Sequence, residues 1–235
     1  MSSPKRYSNG ITNVPASNPL GQLTTLDPTQ LTVFFDDFLR YSATDWTITT
    51  VETGTATEAV GDESGGVLVV TNGTSDNDSD MFQLSADGGT TVAETFKLAT
   101  GKKAWIKTRC KTSDKTDSEF IVGLVDSDTT PLDASDGMFF IKADDVATLD
   151  FKTSKSSVSS TASSIATLVD DTYVELACYY DGVDTITYYV DGLPKGTLTD
   201  DTLPTTELAV TFGVKNGGAA AKVFSIDYLY IAVEK

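Results

Sequence analysis

The chain has 235 residues, of which 40% are hydrophobic and 9% aromatic, so it can bury a substantial core. Its formal net charge is −17, from 34 acidic and 17 basic residues, and such an excess repels phosphate backbones, which argues against a nucleic-acid partner. The sequence contains no histidine, the commonest general base and transition-metal ligand. Any catalysis would therefore depend on carboxylates, tyrosine or lysine.

Residues 1–30 differ in composition from the rest of the chain. Prolines, glycines and asparagines recur through them, which prevents a helix or a strand from extending, and we therefore predict an extended arm. The arm has a net charge of +1, whereas residues 31–235 carry −18. Spaced apolar and basic side chains suit an arm that wraps over another protein, and an arm that folds back on its own domain is the alternative. The candidate partner-binding residues are Lys5, Arg6, Tyr7, Ile11, Val14, Leu20, Leu23 and Leu26.

The chain shows no sign of export or membrane insertion. Its first residues lead into Asn, Gly and Pro rather than into an apolar segment, so we expect no signal peptide and synthesis in the host cytoplasm. No apolar run approaches the roughly 20 residues that a membrane-spanning helix needs, and we expect no membrane association.

From residue 31 onward the pattern is one of successive strands. The segments alternate with a period of two, are rich in β-branched and aromatic residues, and are separated by turn-forming residues. This pattern predicts an all-β, two-sheet antiparallel sandwich over residues 31–235. The Ser-rich segment 154–164 is either a loop or a weak edge strand. The predicted strands are 33–38, 46–51, 66–71, 81–84, 92–98, 103–111, 119–125, 138–142, 146–151, 172–180, 185–190, 208–214 and 223–233.

Two cysteines, Cys110 and Cys178, are the only thiols in the sequence. Each shares a strand face with apolar neighbours, so we interpret both as buried core thiols. A disulfide between neighbouring strands is the alternative. Metal binding by cysteine is not indicated, because it needs clustered pairs.

The strongest motif is a pair of Asp-Gly turns in residues 172–195, where Tyr-Asp-Gly at 180–182 is followed by Tyr-Val-Asp-Gly at 189–192. Asp-Gly closes tight hairpins because glycine accepts positive φ. The segment resembles the hairpin of concanavalin-A-like (laminin-G-like) jelly-roll domains. The resemblance implies that residues 31–235 form such a jelly roll, with the opening segment 34–38 beside the closing segment 224–232. It also implies that 120–126 and 136–140 are neighbouring strands.

The N-terminal segments at 7–14, 18–21 and 27–29 are similar to the openings of tailed-phage structural proteins that decorate or cement the head. This similarity implies a non-enzymatic virion protein on the outer capsid surface, with the major capsid protein as partner and the arm as the anchor. Such proteins often sit on capsid symmetry axes, so the similarity also implies a homo-oligomer.

The fold family includes glucanases, which carry a Glu-x-Asp-x-x-Glu arrangement on one strand with the carboxylates facing one cleft. No such strand occurs here. The adjacent pairs Asp144-Asp145 and Asp170-Asp171 fit turns, and polysaccharide lyases of this fold use a histidine, which is absent. We therefore expect no enzyme, no catalytic residues and no cofactor.

Clustered aspartates in two segments are candidate ligands for calcium. Carboxylates at alternate positions supply hard oxygens, but the Gly and the terminal Glu of an EF-hand loop are missing, so we interpret these residues as solvated turn carboxylates. The weak candidates for metal binding are Asp76, Asp78, Asp80, Asp126 and Asp128.

Carbohydrate binding by a lectin-like module of a host-recognition structure is the alternative function. Trp105 alternates with Ile106 and shares a face with Lys107, so it is a candidate for a partly exposed aromatic platform. Tyr179 lies opposite Cys178 in the same way. Packing of both rings in a second apolar layer is the competing interpretation.

Overall fold

A computed structural model describes residues 29–235 of the protein. Nearly all regular structure in this range is β-strand, joined by turns and three short 3-10 segments. None of the helical segments in residues 29–235 has the length and apolar character needed to cross a membrane. The all-β class expected from the alternating pattern is therefore confirmed.

Sixteen strands make up the described part of the chain. Their bounds are β1 Leu31–Asp36, β2 Trp46–Val51, β3 Thr57–Val60, β4 Leu68–Thr71, β5 Ser79–Leu84, β6 Phe96–Lys97, β7 Ala104–Thr112, β8 Ser118–Val125, β9 Gly137–Lys142, β10 Thr148–Lys155, β11 Val158–Thr167, β12 Val174–Tyr180, β13 Thr185–Val190, β14 Leu193–Thr199, β15 Glu207–Asn216 and β16 Val223–Glu234.

The strands form two eight-stranded antiparallel sheets. The terminal sheet, which contains the first and last strands, has the order β14-β13-β12-β7-β16-β4-β3, and β1 pairs with the C-terminal half of β16. The opposing sheet has the order β11-β10-β9-β8-β15-β5-β2, with the short β6 also pairing β15. The two sheets pack face to face as a jelly-roll sandwich, in agreement with the predicted architecture.

The core between the sheets is dominated by aromatic side chains. Phe212 on β15 stacks on Phe82 of the neighbouring β5, with ring centroids 4.7 Å apart, and Trp46 meets Phe212 edge to face at 4.8 Å. Phe38, which follows β1, reaches the same ring from the terminal sheet side. These large rings come from four separate segments, and their burial in one shared core stabilises the packing of the two sheets.

Both predicted Asp-Gly turns close hairpins. Asp181 accepts hydrogen bonds from the backbone N–H groups of Val183, Asp184 and Thr185, which fixes the turn between β12 and β13. Asp191 and Gly192 both have positive φ, of 50° and 72°, as a type I′ turn requires, and they connect β13 to β14. The expected pairing of β1 with β16 and of β8 with β9 is also present.

The list of predicted strands was wrong in three places, one of which is the omission of β14, Leu193–Thr199. The four-residue strand β3 was not predicted, because Thr57 to Val60 is mostly exposed and lacks apolar alternation. The predicted strand 92–98 contributes only β6 and one isolated bridge from Val92 to Ser85. The Ser-rich segment forms most of β11, an edge strand paired only with β10 among the described strands, which settles the open choice in favour of a strand.

Cys110 and Cys178 are free thiols and are fully buried in the core. They lie on adjacent strands but not opposite one another, since Cys110 pairs with Val174 and Cys178 pairs with Ile106. The interpretation as core thiols is confirmed. Burial raises the pKa of the Cys110 thiol to about 12.

Candidate functional site

The outer face of the terminal sheet carries a set of large side chains that the core does not use. Alternation along β7, β12 and β16 directs one set of residues inward and the other outward. The outward set includes rings from four segments, which we call the aromatic face. Its members are Phe35, Trp105, Tyr173, Tyr179, Tyr228 and Tyr230.

The carbohydrate candidates Trp105 and Tyr179 meet on this face. They are cross-strand partners, and their rings stack with centroids 5.7 Å apart. Trp105 is only 2% exposed, because it packs in a small cluster with Leu31 and Ala232. The expectation of a partly exposed Trp105 platform is therefore wrong, and the competing interpretation of a second apolar layer describes the geometry.

Ion pairs occupy the middle of the aromatic face. Lys107 lies 2.9 Å from Glu175, and the Tyr228 hydroxyl donates to the same carboxylate at 2.8 Å. A β-bulge between Ile226 and Tyr228 brings Asp227 to Arg109, which donates to its carboxylate. Burial, followed by the hydrogen bond to Glu175, raises the pKa of Tyr228 far above its ordinary value. The tyrosine is therefore held as a neutral hydrogen-bond donor.

Tyr173 lies between two cations at one end of this face. The Arg109 guanidinium lies 3.9 Å from the centre of the ring, and the Lys111 ammonium lies 4.4 Å from it. Glu63 accepts hydrogen bonds from both Lys111 and the Tyr173 hydroxyl. These two hydrogen bonds lower the pKa of Glu63. The charged groups of this face are therefore engaged mainly with one another.

A shallow cavity of about 350 Å³ opens at the side of this face. Phe35, which is 59% exposed, lies 6.3 Å from the Tyr230 ring at its edge. Lys107 and Asp227 supply polar groups to its lining. Neither Phe35 nor Tyr230 was predicted from the sequence, although the alternation of Val33 and Phe35 was the available signal.

The outer face of the opposing sheet is apolar at its centre and is covered by a loop. The connection from β8 to β9 folds back over the sheet and brings Leu132 and Ala134 onto it. Pro131 begins a 3-10 turn that shapes this loop. The cluster that the loop covers consists of Met81, Ile121, Val125 and Phe139.

The paired-carboxylate arrangement is not formed on the strands beneath this loop. The positions of β9 on this face are Gly137, Phe139 and Ile141. Glu119 on β8 forms an ion pair with Lys215 at 3.3 Å. Asp150 lies on β10, beyond β9, and accepts a hydrogen bond from the Ser164 backbone N–H. The predicted turn positions of Asp144-Asp145 and Asp170-Asp171 are confirmed.

Three of the five calcium candidates lie in or after the 72–78 loop, and two of these are buried. Asp76 is exposed, whereas Asp78 is 2% and Asp80 0% exposed, so the interpretation of all five as solvated carboxylates is wrong for this pair. Asp126 and Asp128 accept hydrogen bonds within the β8–β9 loop. Within residues 29–235 no three His, Cys, Asp or Glu side chains are grouped so that they could hold a metal ion.

The eight candidate residues of the arm fall outside the described residues. They are Lys5, Arg6, Tyr7, Ile11, Val14, Leu20, Leu23 and Leu26.

The fold and the sequence together define the class of this protein. A laminin-G-type family model, described as the concanavalin A-like lectin/glucanases superfamily, matches residues 102–232, which is more than half of the chain. The protein belongs to this superfamily. No curated protein sequence matches the chain.

Solved structures of the same fold have several kinds of function. A protein of unknown function from Shewanella oneidensis MR-1 matches 100% of this chain and 95% of its own, with a TM-score of 0.57 and 17% identity. A glycoside hydrolase family 16 endo-glucanase from Bacteroides ovatus matches 84% of this chain and 99% of its own, with a TM-score of 0.58 and 15% identity. The binding domain of botulinum neurotoxin DC, in complex with rat synaptotagmin II, matches 79% of this chain and 43% of its own, with a TM-score of 0.54 and 8% identity. At these identities the similarity establishes the fold alone.

Proposed function

We propose that this protein is a non-enzymatic structural protein of a phage virion, which decorates the outer capsid surface by binding the major capsid protein through its N-terminal arm. The proposal that the protein is not an enzyme is supported by the outer face of the opposing sheet, where Leu132 and Ala134 cover an apolar cluster. A glycosidase would need two carboxylates facing an open cleft at such a place.

The division of charge along the chain supports attachment through the arm. Residues 1–30 carry a net charge of +1 and spaced apolar side chains, whereas residues 31–235 carry −18. The acidic residues 31–235 repel other negatively charged surfaces, including other copies of the same domain. Residues 1–30, which lack this negative charge, are therefore better suited to contact the capsid. The similarity of residues 7–14, 18–21 and 27–29 to phage structural proteins supports the choice of the capsid as the partner.

Binding of the purified protein to undecorated phage heads tests the proposal. We expect saturable binding by sedimentation, with a copy number that matches a class of capsid sites. Removal of residues 1–30 should abolish binding while the circular dichroism spectrum stays that of a β-protein. The variant Glu207→Gln, which alters an exposed carboxylate of the sandwich, serves as the matched control and should bind like the wild type. Unchanged binding by the truncated protein would contradict the proposal.

A carbohydrate-binding module is the second candidate function. The cavity beside Phe35 and Tyr230 supports it, because it combines exposed aromatic surface with the polar groups of Lys107 and Asp227. Lectin-like use of this cavity differs from the sequence prediction, which placed the sugar on Trp105 and Tyr179.

A glycan array distinguishes the two functions. Specific glycan binding that is lost in Phe35→Ala but kept in Leu193→Ala, which truncates an exposed leucine on the distant strand β14, would favour the carbohydrate module. Absence of any specific glycan signal, together with binding to phage heads, is the result that we expect.

A further inference from the structure

An acidic slot lies where the edges of the two sheets approach each other. We define it by Tyr41, Glu52, Glu58, Asp78 and Asp80. Asp80 on β5 pairs with the core residue Val214 and precedes the core residue Phe82 by two positions, so its side chain points between the sheets. Glu58 on β3 pairs with the core residue Val70 and points inward from the other sheet.

Several buried polar atoms in this slot have no hydrogen-bond partner. Asp80 is 0% exposed, and its Oδ1 accepts from the Thr50 hydroxyl at 2.6 Å, but its Oδ2 has no partner. Glu52 Oε1 and the Tyr41 hydroxyl are likewise buried without partners. An ionised carboxylate in such a position loses its hydration without full compensation.

The carboxyl groups of Glu52 and Asp78 face each other across Gly73. Glu52 Oε2 and Asp78 Oδ2 both lie too close to the position that a Cβ would take at Gly73, so a side chain there would force the carboxyl groups to move. Asp78 accepts hydrogen bonds from the backbone N–H groups of Thr53 and Ser75, which favour its ionised form. Glu52 accepts only one, from Gly73. A proton on Glu52 would relieve the repulsion between the two groups.

The charges around the slot have the same sign. The charged groups that act most strongly on Asp80 are Glu58 and Asp78, and those that act on Glu52 are Asp78 and Asp80. Glu58, Asp80 and Asp45 all act electrostatically on Tyr41. Burial first, and these neighbouring carboxylates in addition, raise the pKa of both Asp80 and Glu52 above their ordinary values.

We propose that the acidic slot is a proton-dependent latch, in which protonated Asp80 and Glu52 allow the β2 and β3 edges of the sandwich to close and their ionisation loosens these edges. Because the folded state binds the protons of Asp80 and Glu52 more tightly than the unfolded state does, the contribution of these two residues to stability is greatest at low pH. It is lost as the pH rises from the unfolded pKa values, about 3.9 for Asp and 4.3 for Glu, through the higher folded values.

The latch can be tested directly by titration of the two carboxyl groups. The side-chain ¹³C resonances of Asp80 and Glu52 should titrate in the folded protein above the ordinary values of about 3.9 and 4.3. Titration of both slot residues at or below their ordinary values would overturn the proposal.

Hydrogen exchange tests the structural consequence. After correction for intrinsic exchange rates, amides of β2 and β3 should lose protection by about tenfold or more between about pH 5 and about pH 8, whereas amides of the central strand β12 should not. Asp80→Asn and, as a second variant, Glu52→Gln should each reduce this pH dependence, and Glu207→Gln should leave it unchanged. Equal protection at the two pH values in the wild type would contradict the latch. Addition of Ca²⁺ at the higher pH provides a further test. If Ca²⁺ restores protection in the wild type but not in Asp80→Asn, the slot is a cation site and the latch is overturned.

Discussion

Arg109 combines an ion pair with Asp227 and a stacking contact with the Tyr173 ring. Lysine would keep the charge but lose the planar group that stacks on the ring. We therefore predict that Arg109→Lys lowers the free energy of unfolding by about 0.5–1 kcal/mol, a small value because the arginine is partly exposed. Urea unfolding measures the change, and Arg40→Lys, at an exposed arginine, is the matched control. A loss in the control as large as that in Arg109→Lys would contradict a specific role for stacking.

The two thiols give a second prediction at the scale of single residues. Burial raises the pKa of Cys110 to about 12 and that of Cys178 even further, so neither is ionised near neutral pH. We expect the native protein to react with a thiol reagent only as fast as it unfolds, and both thiols to react at once in denaturant. Spectrophotometric labelling measures this, and fast stoichiometric labelling of the native protein would contradict it.

The sequence predicted the faces of individual residues better than their exposure. Alternation with Ile106 correctly directed Trp105 away from the core, because strand geometry is local. Its burial depends on Leu31 and Ala232, which come from distant parts of the chain, and no local pattern contains that information. The same applies to Asp80, whose neighbour Glu58 lies on a strand that the sequence analysis did not detect.

At the scale of elements, the second Asp-Gly turn determines how β13 and β14 pair. Gly192 has a φ of 72°, which any other L-residue adopts at a cost, and nothing lies within 4 Å of an added Cβ. We predict that Gly192→Ala destabilises the protein by about 1 kcal/mol through backbone strain alone. Gly54→Ala is the control, because Gly54 has no positive φ and an added methyl group there makes only an ordinary contact. Thermal unfolding measures the effect, and we expect the midpoint temperature to fall in Gly192→Ala but not in Gly54→Ala. Equal decreases in both variants would argue against backbone strain.

The β8–β9 loop gives a second prediction for an element. Leu132 packs on the apolar cluster of the opposing sheet, so Leu132→Ala should lower the free energy of unfolding by about 1–2 kcal/mol, since the side chain is only half-buried. We also expect increased binding of a hydrophobic dye as the outer face becomes uncovered. Leu193→Ala, at an exposed leucine, should change neither quantity. No effect in Leu132→Ala would mean that the loop does not hold this face closed.

Elements with strong alternation and clear turn chemistry were predictable, and weakly patterned ones were not. Strand β2 has the predicted bounds, and both Asp-Gly hairpins form where the turn residues indicated. β3 was missed because an exposed edge strand needs no apolar residues and is held mainly by its pairing with β4. The pairing with the next strand, β4, therefore determines β3, and its own side-chain pattern does not.

For the molecule as a whole, charge repulsion is the largest long-range effect. With a net charge of −17, the exposed carboxylates repel each other across the surface, and the described ion pairs offset this only locally. We predict that the melting temperature rises as NaCl increases from about 20 to about 300 mM, because screening weakens repulsion beyond roughly 10 Å. Glu207→Lys should raise the melting temperature at low salt and should do so less at high salt. A melting temperature that falls with added salt would show that ion pairs outweigh the repulsion.

The pairing of β1 with β16 brings residue 31 opposite residue 234, and the Lys235 backbone N–H donates to the Gln30 carbonyl. Anything fused after Lys235 therefore emerges beside residue 31, and under the proposed function a bulky tag there would crowd a partner bound by residues 1–30. The exposed connection from β15 to β16, around Gly218 to Ala221, lies at the other end of β16. A displayed epitope or enzyme belongs in that loop, at the end of β16 that lies away from residue 31.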